Sequence, residues 1–118
     1  MKTGDIYWVN LDPVVGDEIK KKRPVVILNP GHKKNLKLSI VLPVTGWNPR
    51  WRENPFFIYL APDRINRLKK KSVVDCFQIR AVSHKRFAAE IGRVSDESFS
   101  RIKKSLSLIL DIEPEDCE

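Results

Sequence analysis

Arg23-Pro24 is followed by Val25-Val26-Ile27-Leu28, an unbroken apolar run after a cluster of cations. Successive strand residues point to opposite faces, so a strand apolar on both faces needs cover on both. Proline is tolerated where a strand begins and holds the preceding residue in an extended conformation. The run therefore predicts a central strand over Pro24–Leu28 in a closed or doubly covered sheet, with Arg23 fixed at its root.

Other segments supply neighbours for such a strand. Asp5–Leu11 is rich in β-branched and aromatic residues and ends at the turn signal Asp12-Pro13. Lys37–Thr45 alternates, with Leu38, Ile40, Leu42 and Val44 on one face and Ser39, Val41, Pro43 and Thr45 on the other. Pro43 has no N–H to give a ladder and predicts an edge or a bulge. Phe56–Leu60 and Val73–Val82 read as two further strands, separated by the cationic segment Pro62–Lys71. Ser83–Ala89 reads as a short helical turn and Ile91–Val94 as a short strand around Gly92.

One helix closes the pattern. Ser95 suits its N-cap, Asp96 and Glu97 suit the positive end of its dipole, and Phe99, Ile102, Leu106, Ile109 and Leu110 form its apolar stripe, with Pro114 as the stop. Short antiparallel strands with one terminal helix predict a mainly β (α+β) fold, a small, strongly curved antiparallel β-barrel with a C-terminal α-helix. At 118 residues the chain reads as a single domain, 1–118.

Composition narrows the function. Apolar residues at 42% support a core, and no apolar run is long enough for a membrane span or an export signal. Cys76 and Cys117 form no metal-ligand spacing, so neither a zinc site nor a disulfide framework is expected, and the reading is of a cytoplasmic protein without cofactor or metal. Lys and Arg number 22 against 15 Asp and Glu, a net charge of +7 that favours a polyanionic partner such as nucleic acid. The cations gather at Lys20–Arg23, Arg50 with Arg52, and Arg64–Lys71, while Asp111–Glu118 is an acidic tail.

Several residues are candidates for chemistry, each with a plainer alternative. Arg23 offers a planar donor set suited to phosphate, or is a solvated cation beside Lys20, Lys21 and Lys22. Glu18 and Asp17 are close enough in sequence to serve as a general base, or as salt-bridge partners of Arg23. Thr45 could hydrogen-bond a phosphoryl oxygen, or satisfy β propensity. In TGWNPRWREN, Trp47 and Trp51 are interleaved with Arg50 and Arg52, the arrangement by which single-stranded nucleic acid is stacked and neutralised; equally, the tryptophans could cap the core. His32 and His84 are isolated, the latter better placed, and Cys76 reads as core.

Taken together, GDIYWVNLDPVVGDEIKKKRPVVIL resembles the N-terminal signature of the MazF/PemK/Kid family of toxin endoribonucleases. LPVT (Leu42–Thr45) and QIR (Gln78–Arg80) are similar to that family's later strand motifs, and the final helix to its C-terminal helix. The resemblance implies an SH3-like barrel and a homodimer that cleaves single-stranded RNA at short sequences without metal. It also implies a cognate acidic antitoxin that covers the RNA site, and operator DNA reached through that antitoxin.

By the same resemblance Arg23 matches the phosphate-stabilising arginine, Thr45 its hydroxyl partner and Glu18 an acid proposed as base. RNA contact falls to Lys20, Lys22, Trp47, Arg50, Trp51, Arg52, Asp75, Gln78 and Arg80. Two departures stand out. Ile19-Lys20-Lys21-Lys22 replaces small or polar residues before Arg-Pro, and Phe77 occupies the place before Gln78 where the PemK/Kid branch carries an acid. Asp75, two residues earlier, is expected on Phe77's face by strand alternation. Two other readings stay open: a non-catalytic basic nucleic-acid-binding module, and a protein-directed toxin on a related fold.

Overall fold

The computed structural model describes residues 1–11, 22–31 and 36–113. Glu18, Lys20, His32, Pro114 and Cys117 lie outside the described residues. The strands are β1 (Asp5–Asn10), β2 (Lys22–Asn29), β3 (Leu38–Gly46), β4 (Phe57–Leu60), β5 (Ser72–Asp75), β6 (Arg80–Ser83) and β7 (Phe87–Arg93), followed by helix α1 (Asp96–Ile109). They form one antiparallel seven-stranded sheet in the order β4-β5-β3-β2-β1-β7, with β6 also paired to β3.

The apolar run of β2 does what its pattern requires. β2 lies between β1 and β3, with Ile6 opposite Val26 and Val26 opposite Leu42. Val26 and Leu42 belong to one buried cluster, together with Ile6, Val44, Val74 and Ile102 of α1. Val25 and Ile27 belong to a second, with Val9, Leu11, Val41 and Val82. The sheet is thus buried on both faces.

Four expectations need correction. The mainly β fold with a C-terminal helix is as expected, but the described strands do not close into a barrel: the sheet is open, with end strands β4 and β7. On β3 the second face is as buried as the first: Ser39, Val41 and Pro43 are buried, and Leu38, expected in the core, is exposed. The predicted strand Val73–Val82 is broken in two by a 3₁₀ turn at Cys76–Gln78. The strand of the last hairpin is longer than Ile91–Val94: it begins at Phe87, and the helical turn before it is only His84–Arg86.

The break between β5 and β6 has a local cause. The Asp75 carboxylate accepts the Phe77 N–H at 3.1 Å, capping the turn. Both strands pair with β3, Val74 opposite Val44 and Arg80 opposite Val41, so six steps of chain oppose three. Pro43 falls within that mismatch, where its missing N–H costs the ladder nothing. The bulge expected at Pro43 is therefore an insertion in the strand beside it.

Helix α1 begins as predicted, with the Ser95 side chain accepting the Ser98 N–H at 3.1 Å. It buries Ile102 against the first cluster, and the Ser105 hydroxyl donates to the Pro55 carbonyl at 2.9 Å. Leu110 is exposed instead of completing the stripe, because the helix ends one turn earlier than Pro114 would impose, at Asp111 with φ of 54°.

The edge strand β7 is covered by the segment after β4. The Arg93 N–H donates to the Ile65 carbonyl at 3.0 Å. A Cβ on Gly92 would stand 2.5 Å from the Ile65 carbonyl oxygen and 2.6 Å from that of Asn66. Backbone cannot yield as a flexible side chain does, so Gly92→Ala is expected to destabilise by about 1–3 kcal/mol, read as a lowered urea midpoint with an unchanged slope.

Candidate functional site

Side chains on the second face of the sheet continue past its apolar cluster into an open, polar groove. Arg23 is in register with Val9 and shares the face of Val25 and Ile27, while Thr45 shares that of Pro43 and Val41. Thr45 is opposite Val73, and Phe57 opposite Asp75, so the same face extends across β5 to β4. A cavity of ≈ 420 Å³ forms there, lined by Leu11, Arg23, Pro43, Thr45, Trp51, Phe57, Asp75, Gln78 and Arg80.

Within it, Arg23 Nη1 reaches the Thr45 hydroxyl at 3.4 Å. That contact is long for a hydrogen bond and, among the described residues, engages one of the guanidinium's five donors. Pro24 keeps the backbone of Arg23 in the strand, so both side chains stand on regular structure instead of on a loop. Arg80 adds a second guanidinium from the first position of β6.

Asp75 is buried, and both of its oxygens are committed. One accepts the Phe77 N–H and the other accepts Gln78 Nε2 at 2.7 Å. The Gln78 amide nitrogen is thus the end of that side chain turned inward, donating to the Asp75 carboxyl. Asp75 is consequently the residue that orients Gln78. The turn also separates Asp75 from Phe77: the ring of Phe77 is 61% exposed, not on the buried face of Asp75 as strand alternation suggested.

The tryptophan loop flanks a second cavity of ≈ 310 Å³, lined by Trp47, Trp51, Arg52, Phe57, Tyr59, Lys71, Val73 and Arg101. Trp51 and Phe57 line both cavities. Neither tryptophan caps the core. Their rings, however, already have partners: Trp51 stacks on Phe57 with centroids 4.6 Å apart and carries Arg50 at 4.7 Å, while Trp47 meets Tyr59 edge-on and carries Arg52 at 5.8 Å. A base entering this groove would displace an arginine from a ring face.

The predicted residues thus divide. Arg23, Thr45, Asp75, Gln78, Arg80 and Trp51 converge on one cavity, and Trp47 and Arg52 line its neighbour. Arg50 lies over the Trp51 ring and lines neither cavity, and Lys22 is exposed at the start of β2. Glu18 and Lys20 are among the residues not described. Sequence reading missed Phe57 and Tyr59, although alternation in FIYL sets both on one face; Lys71 was read only as part of the cationic segment Arg64–Lys71, and nothing local singled out Arg101.

His84 is structural. Its Nε2 lies 2.8 Å from the Ser39 hydroxyl and 3.0 Å from the Pro30 carbonyl, locking the start of β3 to the turn before β7. Cys76 is buried as expected, and its thiol is pushed up to about 11 from 9.0 by burial foremost, with Asp75 adding to the rise and a Ser105 hydrogen bond opposing it.

Residues 2–110 match the family model described as PemK-like, MazF-like toxin of type II toxin-antitoxin system. The chain belongs to this PemK-like, MazF-like toxin family. Endoribonuclease PemK of Escherichia coli is 32% identical over 112 residues, covering 93% of this chain and 82% of that protein. Endoribonuclease MazF9 of Mycobacterium tuberculosis is 28% identical over 118 residues, covering 95% and 98%. Among solved structures, MazE-MazF (Form-II) from Deinococcus radiodurans superposes with a TM-score of 0.77 over 96% of this chain and 97% of that one, at 21% identity. Mycobacterium tuberculosis toxin MazF-mt6 gives 0.73 over 92% and 98%, also at 21%. These likenesses establish that the toxin family shares this fold.

The buried thiol gives the toxin a measurable pH dependence. Its folded pKa is raised, so the unfolded chain loses the proton first, and stability present below pH 9 falls as pH rises toward about 11. Tyr7, also held above its ordinary value, chiefly by burial and then by Glu90, acts in the same direction. Urea unfolding across that window should show the decline, and Cys76→Ala should flatten most of it despite a lower stability at neutral pH.

Proposed function

We propose that this toxin is a metal-independent, sequence-specific endoribonuclease that cuts single-stranded RNA, and that the Arg23–Thr45 cavity is where it does so. The observation that carries the reading is the approach of the Arg23 guanidinium to the Thr45 hydroxyl, 3.4 Å apart, inside a groove lined by a second arginine, a fixed amide and two aromatic rings. Relatives named as endoribonucleases support it.

The chemistry follows from charge. The 2'-hydroxyl of the nucleotide before the cut attacks the adjacent phosphorus as a base removes its proton. Negative charge builds on the phosphoryl oxygens, the bond to the 5'-oxygen breaks, and that oxygen leaves with a proton. A 2',3'-cyclic phosphate and a 5'-hydroxyl result. Arg23 holds the developing charge, and Thr45 is the neutral donor beside it. Gln78, oriented by Asp75, and Arg80 seat the strand. Glu18 is the base by the family resemblance. Lys20, Lys22, Arg50 and Arg52 draw the polyanion in, while Trp47 and Trp51 receive its bases.

The toxin acts as a homodimer in the cytoplasm, restrained by a cognate acidic antitoxin that occupies the same cationic groove and links it to operator DNA. A structural relative, an endoribonuclease from Mycobacterial species in complex with its cognate antitoxin, supports that partner. A net charge of +7 complements an acidic ligand.

The test is cleavage of a long single-stranded RNA in excess EDTA with end mapping. Cuts at one short motif, leaving 5'-hydroxyl ends, are expected. Arg23→Ala and Thr45→Ala should each lower the rate roughly 100-fold or more at near-native stability. Retardation of the RNA without any cut would refute the proposal in favour of a binding module.

A further inference from the structure

We propose that the cleft between residues 63–68 and β7 is a second nucleic-acid contact, in which Arg64, Arg67 and Arg93 bind RNA phosphates lying outside the cut site. The proposal rests on the RNA reading above but on none of the residues that carry it. A cavity of ≈ 500 Å³ opens there, lined by Arg64, Ile65, Arg67, Glu90, Ile91, Gly92 and Arg93. It shares no lining residue with the groove that holds Arg23.

The cleft is built, not merely charged. One Asp63 oxygen accepts the N–H groups of Ile65 at 2.8 Å and Asn66 at 2.7 Å. The Asn66 side chain, buried, accepts from the Asp63 and Leu68 N–H groups and donates to the Ala61 carbonyl. Arg67 is held at φ of 55°, a conformation few side-chain-bearing residues adopt, while its N–H donates to the Asp63 carbonyl at 3.0 Å. Gly92 lets this loop lie directly on β7, which brings Arg64 and Arg67 beside Arg93. Ordering entropy that a flexible basic loop would lose on binding is already lost in folding.

Three arginines line a cleft with one lining carboxylate, that of Glu90. All three arginines are exposed, and their planar donor forks match phosphodiester oxygens. A strand long enough to leave the catalytic groove would gain affinity here without any base being read, because phosphate contacts position and do not specify.

The test compares wild type with the triple variant Arg64→Gln, Arg67→Asn, Arg93→Gln, Asn being chosen because it tolerates positive φ. Binding of a long single-stranded RNA is measured against salt, and cleavage is measured on a short oligonucleotide that just spans the cut site. The variant should bind the long RNA with a salt slope smaller by about 2, near 0.7 per lost phosphate contact, and cleave the short oligonucleotide at the wild-type rate. An unchanged slope overturns the proposal, even if polyglutamate binds the wild type and not the variant, which would give the cleft to an acidic protein. Equal loss on both substrates at unchanged melting temperature also overturns it. Failure of the wild type to cut the short oligonucleotide counts against the endoribonuclease reading alone, because the binding measurement stands without it.

Discussion

The buried carboxylate of Asp75 is the contact on which the shape of the groove depends. It caps the turn that divides the chain running beside β3 into β5 and β6, and it fixes the Gln78 amide. Without that turn the chain from Val73 to Val82 would run as one strand along β3, and Gln78 and Arg80 would follow simple alternation. With it, three extra residues are accommodated opposite Pro43, the one position on β3 with no N–H to lose. The kink turns Gln78 and Arg80 toward Arg23 and Thr45.

Burial on both faces of the sheet supplies the stiffness behind this arrangement. Strands β1, β2 and β3 each contribute to two apolar clusters, one packed by α1 and one that ends where the groove begins. An arginine proposed to hold a phosphate gains from such a base, since its charge is held in place before the ligand arrives. Long cationic side chains around it rest on aromatic faces, Arg50 on Trp51 and Arg52 on Trp47, which limits their wandering without neutralising them.

Much of this was legible in the chain. Val25–Leu28 required cover on two faces and has it; Arg23-Pro24 predicted a pinned arginine, and Thr45 was expected on its own face of β3. The capped start of α1 was readable from Ser95, Asp96 and Glu97. What was not legible depended on side chains bonding across turns. An aspartate at 75 looks like any strand residue until its oxygen meets the Phe77 N–H, and no periodicity predicts that. His84 gave no hint of its bonds to Ser39 and Pro30, which lie far away in sequence. Leu38 is apolar and in register yet exposed, because burial at the end of a strand is set by what lies over it.

The central claim is that one phosphate sits between the Arg23 guanidinium and the Thr45 hydroxyl. The direct measurement is a crystal structure of the toxin with an RNA blocked at the cut site by a 2'-O-methyl group, which leaves the phosphate intact but removes the attacking hydroxyl. The account predicts non-bridging oxygens of that phosphate within hydrogen-bond distance of both side chains, with the following base toward the Trp51–Phe57 pair. A scissile phosphate seated elsewhere, with Arg23 and Thr45 contacting only each other, would contradict it.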